Sequence, residues 1–180
     1  MRKELYKKIE IPEGIEAEIK GSHVKIKGPE GENSRQFNIH SLELVKEGNI
    51  ISIGNRNSTK KEKKLMNTIT AHIRNMIKGV QGKFEYELKA VFSHFPMTIE
   101  LKGHEVIIKN FLGERTPRKA SIPSGVEIEV NGPLIKIKSA DKELAGQAAA
   151  KLEAVTRIRK RDRRIFQDGI FMIKKIGREI

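Results

Sequence analysis

The sequence predicts an α+β protein made by tandem duplication of a small domain, with antiparallel β-hairpins and one α-helix in each copy and a basic C-terminal tail. Three observations predict this fold. A strand–glycine–strand pattern occurs four times, an apolar stripe with helical spacing follows each pair of hairpins, and a block of arginines follows the second stripe. The hairpin at 18–27 returns at 100–109, so we predict domains at 1–82 and 83–180, with 157–180 as an extension of the second.

Each hairpin is predicted to turn at a glycine, because a tight turn needs the positive φ that glycine adopts at little cost. The four copies lie at 18–27, 45–53, 100–109 and 129–138. Pairing across each turn gathers apolar side chains on one face and sets opposite charges against each other on the other. The predicted pairs are Ile19–Val24, Glu18–Lys25 and Glu16–Lys27 in the first copy, and Glu129–Lys136 and Glu127–Lys138 in the third.

The first domain is predicted as two hairpins followed by one helix. The first hairpin occupies 9–27, and a polar loop at 55–58 leads into the helix. Thr59 and Glu62 fit a capping box at the start of this helix, and Gly79 is a suitable stop. The strand pattern between the hairpins is expected to continue through Phe37, Ile39, Leu42 and Leu44. The buried helical stripe is expected to comprise Leu65, Ile69, Ile73 and Ile77, with Met66 and Met76 alongside.

The second domain is predicted to repeat this order. Phe84, Tyr86 and Leu88 alternate with charged residues and open it as a strand, and hairpins follow at 98–109 and 129–138. Three cations are expected to line a loop between those hairpins, namely Arg115, Arg118 and Lys119. The helix is expected to begin at a cap formed by Ser139 or Asp141 and to bury Leu144, Ala148, Leu152 and Val155.

Positive charge is concentrated at the end of the chain. The net charge is +13, and residues 156–180 carry +6 of it, with nine basic and three acidic residues in 25 positions. A charge excess in a short terminal segment indicates an anionic polymer as partner. The segment lacks the broad apolar helical face of a membrane-binding helix. Composition therefore favours a nucleic acid, with a solvated run of surface charge as the alternative.

The tail is predicted to hold a basic run, residues 157–164, against its ligand. Arginine makes planar bidentate contacts with phosphate, and clustered cations gain free energy from counterion release. The following segment, 165–173, is apolar around an Asp168–Gly169 turn signal. We expect it to dock on the second domain through Ile165, Phe166, Ile170 and Phe171.

No catalytic, metal or cofactor site is predicted. The chain has no cysteine, and its five histidines are scattered without the spacing of metal ligands. Ser93 and His94 are sequence neighbours, which does not indicate a nucleophile–base pair. Asp162 and Asp168 are attributed to salt-bridge and turn roles rather than to paired carboxylates. We therefore expect a protein without enzymatic activity, cofactor or small-molecule substrate.

Two further expectations concern the protein's surroundings. No stretch approaches the roughly 20 apolar residues of a membrane span, and the N-terminus has no apolar run of the signal-peptide kind. A cytoplasmic protein without a membrane partner is expected. No strand carries closely spaced exposed aromatic residues, so backbone contacts are expected to dominate over base stacking in any RNA complex.

Six stretches, taken in order along the chain, carry a family resemblance. They are 24–31, 72–84, 93–96, 110–114, 141–147 and 156–170. Together they resemble the large-subunit ribosomal protein six family in its archaeal form, over essentially all 180 residues. The bacterial branch of that family has a different tail, rich in proline, tyrosine and Lys-Gly repeats, and this chain lacks it.

The resemblance implies a structural constituent of the large ribosomal subunit that binds large-subunit ribosomal RNA (rRNA), chiefly through its second α+β domain. It implies a position near the sarcin–ricin loop and the stalk base, beside neighbouring ribosomal proteins and the docking place of translation factors. The match at 156–170, and charge alone for the last two residues, assign rRNA contact to Arg157, Arg159, Lys160, Arg161, Arg163, Arg164, Lys174 and Lys175. A free-standing RNA-binding regulatory protein with the same tail is the alternative. An enzyme acting on RNA is a further alternative, for which no residue is a good candidate.

Overall fold

The computed structural model describes residues 3–180. They form two compact units, which adjoin in the sequence between Lys83 and Phe84. Each unit contains two antiparallel sheets, one long helix and a hydrophobic core of its own. The α+β class predicted from the sequence is confirmed.

The first unit has two three-stranded sheets, ordered β1-β6-β5 and β2-β3-β4. Its strands are β1 (Lys3–Glu10), β2 (Glu16–Lys20), β3 (His23–Gly28), β4 (Gly31–Gln36), β5 (Glu43–Glu47) and β6 (Ile50–Ser58). Helix α1 (Lys60–Gln81) follows them. The core combines the buried stripe of α1 with apolar residues from the strands of both sheets, such as Val24, Ile26, Ile51 and Ile53.

The second unit repeats this connectivity and adds two strands. Its strands before the helix are β7 (Phe84–Val91), β8 (Thr98–Lys102), β9 (Glu105–Lys109), β10 (Arg118–Ser121), β11 (Glu127–Asn131) and β12 (Leu134–Ser139). Helix α2 (Lys142–Val155) follows them, and a short 3-10 helix, Phe111–Gly113, lies between β9 and β10. The sheet β8-β9-β10 matches β2-β3-β4, and the order β11-β12-β7 matches β5-β6-β1. β13 (Gly169–Lys175) then pairs with the free side of β7, and β14 (Arg178–Glu179) pairs with β13. The predicted duplication is confirmed at the level of topology.

All four predicted hairpins form. In the first, Ile19 pairs with Val24 and Glu18 with Lys25, and the third copy pairs Glu129 with Lys136. The turn glycines have φ between 58° and 60°, the left-handed region in which a side chain would be strained. They are Gly21, Gly48, Gly103 and Gly132.

Helix α1 begins where the sequence predicts and ends later. The Thr59 hydroxyl accepts from the Lys61 N–H at 3.2 Å, and the Glu62 carboxylate accepts from the Thr59 N–H at 2.8 Å, which completes the capping box. The predicted stop at Gly79 is wrong, because the helix continues to Gln81. Packing explains the extra residues: Val80 is fully buried, and its carbonyl accepts the Glu30 N–H at 3.0 Å.

The first unit also contains strand that the sequence prediction missed. β1 precedes the first hairpin and pairs with β6, whose last residues, 55–58, were predicted to be a polar loop. Both segments are rich in polar side chains, and only Ile9 of β1 is fully buried, so periodicity alone gave a weak signal. The predicted strand through 37–42 is also wrong: Phe37 and Leu42 are buried, but the chain turns between them.

Helix α2 packs closely on its sheet through small side chains. Asp141 rather than Ser139 is the N-cap, with its carboxylate accepting the Glu143 N–H at 2.8 Å. Of the predicted stripe, Ala148 and Leu152 are fully buried, whereas Leu144 and Val155 are half-buried. Two further alanines, Ala145 and Ala149, complete the buried face.

Candidate nucleic-acid interface

The basic run, residues 157–164, lies in a loop whose two ends are joined by one buried threonine. Thr156 ends α2, and its hydroxyl oxygen accepts the N–H of Ile170, in β13, at 2.9 Å. Thr156 is 2% exposed and Ile170 is 1% exposed, so this hydrogen bond is sheltered from water. The loop therefore leaves the core at Thr156 and returns to it at Ile170.

β13 docks the tail chiefly by strand pairing. It runs antiparallel to β7, with Ile170 opposite Ala90 and Met172 opposite Leu88. Of the four residues predicted to dock, Ile170 is buried and Phe166 is half-buried. The prediction is wrong for Ile165 and Phe171, which are 76% and 47% exposed. Backbone hydrogen bonds to β7 and alternate buried side chains hold β13, so a continuous apolar docking segment is not needed.

The turn within the loop is made by Asp162. Its carboxylate accepts the Arg164 N–H at 2.9 Å, and its carbonyl accepts the Phe166 N–H at 2.9 Å. The salt-bridge role predicted for Asp162 is wrong: within residues 3–180 its carboxylate forms no ion pair and instead accepts a backbone N–H of its own turn. The turn role predicted for Asp168 is wrong: this residue is 5% exposed and its carboxylate accepts from the Ser93 hydroxyl at 3.2 Å.

Every cation of the basic run is exposed. These residues are Arg157, Arg159, Lys160, Arg161, Arg163 and Arg164. Within residues 3–180, none of the six forms a salt bridge, and Asp162 in their midst uses its carboxylate on the backbone of its own turn. Arg161 lies over the Phe166 ring, with its guanidinium carbon 4.9 Å from the centroid. The loop therefore presents six exposed positive charges, and the charge of Arg161 also helps to lower the pKa of Glu114.

The two remaining predicted residues lie elsewhere. Lys174 and Lys175 follow Gly169 by five and six residues along β13, or about 17–20 Å at 3.3 Å per residue. The Lys174 ammonium lies 3.1 Å from the Glu87 carboxylate, and the hydrogen bond between them raises the pKa of Lys174. The structure thus brings the six residues of the run together and places Lys174 in an ion pair on the sheet.

A basic cleft of about 630 Å³ adjoins the run. We use this name for the concave surface between β10 and α2 lined by Arg118, Lys119, Lys151, Arg157 and Arg159, which has no acidic lining residue. Lys119 and Lys151 are exposed. Sequence reasoning predicted a loop at 118–119 and passed over Lys151. The signal that could have found it was its position as the one cation of α2 after Lys142.

Arg118 is held in this cleft by contacts with neighbouring residues of the protein. It belongs to β10, so its predicted loop position is wrong. Its guanidinium lies 4.2 Å from the Phe111 ring centroid and donates to both carboxylate oxygens of Glu114, at 2.6 and 2.8 Å. A third donation, to the Val155 carbonyl at 2.7 Å, satisfies the C-terminal end of α2. The hydrogen bonds from Arg118 hold the pKa of Glu114 below its usual range.

Other site chemistries find little support in the described part of the chain. Among residues 3–180, no three His, Asp or Glu side chains are grouped as metal ligands would be. The same residues include no helix both long and apolar enough to cross a membrane.

Comparison with known proteins agrees with the duplicated architecture. The family model for ribosomal protein L6 matches residues 11–83 and 95–169, one segment in each unit. The large ribosomal subunit protein uL6 of Methanobrevibacter smithii is 44% identical over 167 residues, which cover 93% of this chain and 94% of that protein. The uL6 proteins of Methanothrix thermoacetophila and Sulfurisphaera tokodaii are each 42% identical, over 97% of this chain and 99% and 96% of their own lengths.

These relatives are archaeal, and the resemblance seen in the sequence is confirmed. The chain therefore belongs to the ribosomal protein L6 family in its archaeal form, a family of structural proteins and not of enzymes.

Proposed function

We propose that this protein is a constituent of the large ribosomal subunit and that its second unit binds large-subunit rRNA through the basic run. Membership of the ribosomal protein L6 family supports the first statement and a place with cytoplasmic ribosomes. The observation that carries the second is the exposed loop of six cations, tied at its base by the Thr156–Ile170 hydrogen bond.

Electrostatics favours a polyanion at this surface. Cations that neutralise phosphates release the counterions condensed on the nucleic acid, and this release drives binding. Because the six cations of the run make no salt bridge within residues 3–180, RNA phosphates bind them without breaking an internal salt bridge. The basic cleft supplies Lys119 and Lys151 beside Arg157 and Arg159 on a continuous positive surface.

Attachment of the loop at both ends favours affinity as well. A free tail must lose conformational freedom when it binds, and this loss opposes association. Here the run is fixed to α2 at one end and to β13 at the other, so part of that cost is met when the protein folds. Lys174 and Lys175 are proposed to extend the interface along β13, with Lys174 contributing less because Glu87 already pairs with it.

Family membership supports the finer placement. We propose that the protein lies near the sarcin–ricin loop and the stalk base, beside neighbouring large-subunit proteins and close to the translation factors that dock there. The first unit is proposed to face solvent or protein neighbours, since the unpaired basic run belongs to the second unit.

Sedimentation tests the proposal against a free-standing regulator. Large subunits carrying a tagged copy of the protein are washed with high salt and run through a sucrose gradient. The tagged protein is expected to remain with the large subunit. A variant with Ala at Arg157, Arg159, Arg163 and Arg164 is expected to be depleted from it. A wild-type protein that leaves the subunit in the wash and binds other RNAs equally well would contradict the proposal.

A further inference from the structure

A second concave surface, the aromatic cleft, also adjoins the basic run. It has a volume of about 770 Å³ and is bounded by the end of α2, the loop of the run and the beginning of β13. We define it by four apolar residues and two arginines of its lining, namely Val91, Ile158, Phe166, Phe171, Arg157 and Arg163. Its volume is within the range of about 300–1,000 Å³ that small-molecule sites occupy.

We propose that the aromatic cleft receives one unpaired base of the RNA whose phosphates the basic run binds. This inference rests on the function proposed above and adds a contact of a different chemical kind. It also reverses the expectation, drawn from the spacing of aromatic residues in the sequence, that base stacking plays little part.

The first argument is the exposed apolar surface. Phe171 is 47% exposed, and Val91, on the neighbouring strand, is 41% exposed. Strand pairing sets Val91 opposite Gly169, two residues before Phe171, so the two side chains point to the same face of the sheet. Hydrated phosphates and riboses do not remove such surface from water favourably, whereas the flat, weakly hydrated face of a base does.

The second argument is how the Phe171 ring is held. A Cβ atom on Gly169 would lie 3.1 and 3.2 Å from two carbons of this ring, which is tighter than ordinary van der Waals contact. The ring therefore lies against the Gly169 backbone, and glycine at that position leaves room for it. With nearly half of Phe171 exposed, ring surface remains for a second flat group.

The third argument is the contact between the Arg161 guanidinium and the Phe166 ring. The guanidinium carbon lies 4.9 Å from the ring centroid, and Phe166 lines the cleft. Unpaired RNA bases stack on aromatic rings and on guanidinium planes alike. Arg157 and Arg163 at the same cleft supply charges for the phosphates on either side of the base.

The two carboxylates in the lining do not oppose this ligand strongly, because the protein's own donors engage both. Glu153 accepts the Met172 N–H at 2.8 Å, and Asp168 accepts from the Ser93 hydroxyl at 3.2 Å. A peptide segment from a neighbouring protein is the other candidate occupant. The cations of the run favour RNA, since the same polyanion then covers both the loop and the cleft.

A single tryptophan provides a direct test, because the chain contains none. Phe171→Trp is titrated with protein-free large-subunit rRNA, and its fluorescence is expected to be strongly quenched as a base stacks on the indole. Phe95→Trp is the matched control, because Phe95 is 40% exposed in the same unit and does not line the cleft. Its fluorescence is expected to change little. Equal responses from the two probes would overturn the proposal.

Affinity separates this inference from the function on which it rests. Stacking on one aromatic residue contributes about 1–3 kcal/mol, so Phe171→Ala is expected to weaken rRNA binding about 5- to 150-fold without changing its salt dependence. Phe171→Leu, which keeps apolar bulk without a ring, is expected to fall between Ala and wild type. Circular dichroism checks that both variants fold.

The possible results of these binding and fluorescence experiments distinguish the base cleft from the proposed function. Normal binding by Phe171→Ala, together with loss of binding by arginine variants of the run, would refute the base cleft and leave the proposed function standing. Wild-type protein without affinity for the rRNA would refute both. A fluorescence change in the Phe171→Trp variant that requires added large-subunit proteins would refute the base and assign the cleft to a protein segment.

Discussion

The Thr156 hydroxyl oxygen accepts the backbone N–H of Ile170 at 2.9 Å, across 14 positions of sequence. The same hydroxyl lies within hydrogen-bond distance of the Leu152 and Glu153 carbonyls, at 3.4 and 3.3 Å, so it can donate within α2 while it accepts from β13. One small side chain thus joins the end of the helix to the strand that closes the basic loop.

Thr156→Val is expected to loosen that loop. Valine keeps the shape and removes the acceptor, so the Ile170 N–H is left buried without a partner at a cost of about 1–3 kcal/mol. Chemical denaturation measures the loss, and amide exchange at Ile170 should accelerate. Thr70→Val in α1 is the control, because Thr70 is equally buried at 2% and donates to the Met66 carbonyl at 2.7 Å. Thr70→Val should lower the free energy of unfolding without changing the affinity of the protein for rRNA.

Replacing arginines of the run should flatten the salt dependence of rRNA binding. Each phosphate contact contributes a slope of roughly 0.7–0.9 in a plot of log affinity against log salt concentration. Arg163→Ala with Arg164→Ala is therefore expected to reduce the slope by about 1.4–1.8. Lys174→Ala is the comparison, since its partner Glu87 lies 3.1 Å away and limits its contribution. An unchanged slope in the double variant would mean that these arginines are only solvated surface.

Gly28→Ala is expected to destabilise the first unit. A Cβ atom there would lie 2.8 Å from both the side chain and the carbonyl oxygen of Val80, and the backbone part of this contact is unable to move aside cheaply. Overpacking of this kind costs typically about 1–3 kcal/mol. A Cβ atom on Gly82 would have no atom within 4 Å, and the backbone of Gly82 is extended. Gly82→Ala should therefore leave the free energy of unfolding nearly unchanged. Equal melting temperatures for the two variants would contradict the close contact.

The Glu114–Arg118 pair should make stability fall in acid. Hydrogen bonds from Arg118 and its charge lower the pKa of Glu114 from its ordinary value of 4.5. A carboxylate with a depressed folded-state pKa stabilises the fold above its unfolded pKa, and this contribution is lost as the pH drops through the folded one. Glu114→Gln should therefore weaken the dependence of unfolding free energy on pH below about 4.5. Identical pH profiles for the variant and wild type would show that the pair contributes nothing.

Local pattern predicted the hairpins well, because alternation and glycine fix both register and turn. The pairing of Glu18 with Lys25 and of Glu129 with Lys136 could be predicted from each hairpin sequence alone. β1 escaped prediction because its pairing with β6 joins residues 40 to 55 positions apart and its sequence is mostly charged. A strand of this kind is specified by its partner more than by its own composition.

The candidate site likewise has one part that the local sequence predicts and other parts that depend on tertiary structure. Charge alone identified the basic run, since clustering along the sequence guarantees clustering in space. Charge clustering along the sequence could not reveal the basic cleft, because Lys119 of β10 and Lys151 of α2 lie near the run only in the tertiary structure. The aromatic cleft was hidden for the same reason: Val91 and Phe171 are 80 positions apart and adjoin only when β13 pairs with β7.

The position of β13 says something about how a doubled domain can specialise. In the second unit, the chain continues past its helix and adds a strand beside β7; in the first, only Gly82 and Lys83 separate α1 from β7. The corresponding side of β1 has no partner strand within residues 3–180, and Lys7 and Lys8 give it the charged character that discourages chance pairing between molecules. The proposed rRNA-binding loop thus belongs to the copy that carries the added strands, and the first unit has the shared two-sheet plan without them.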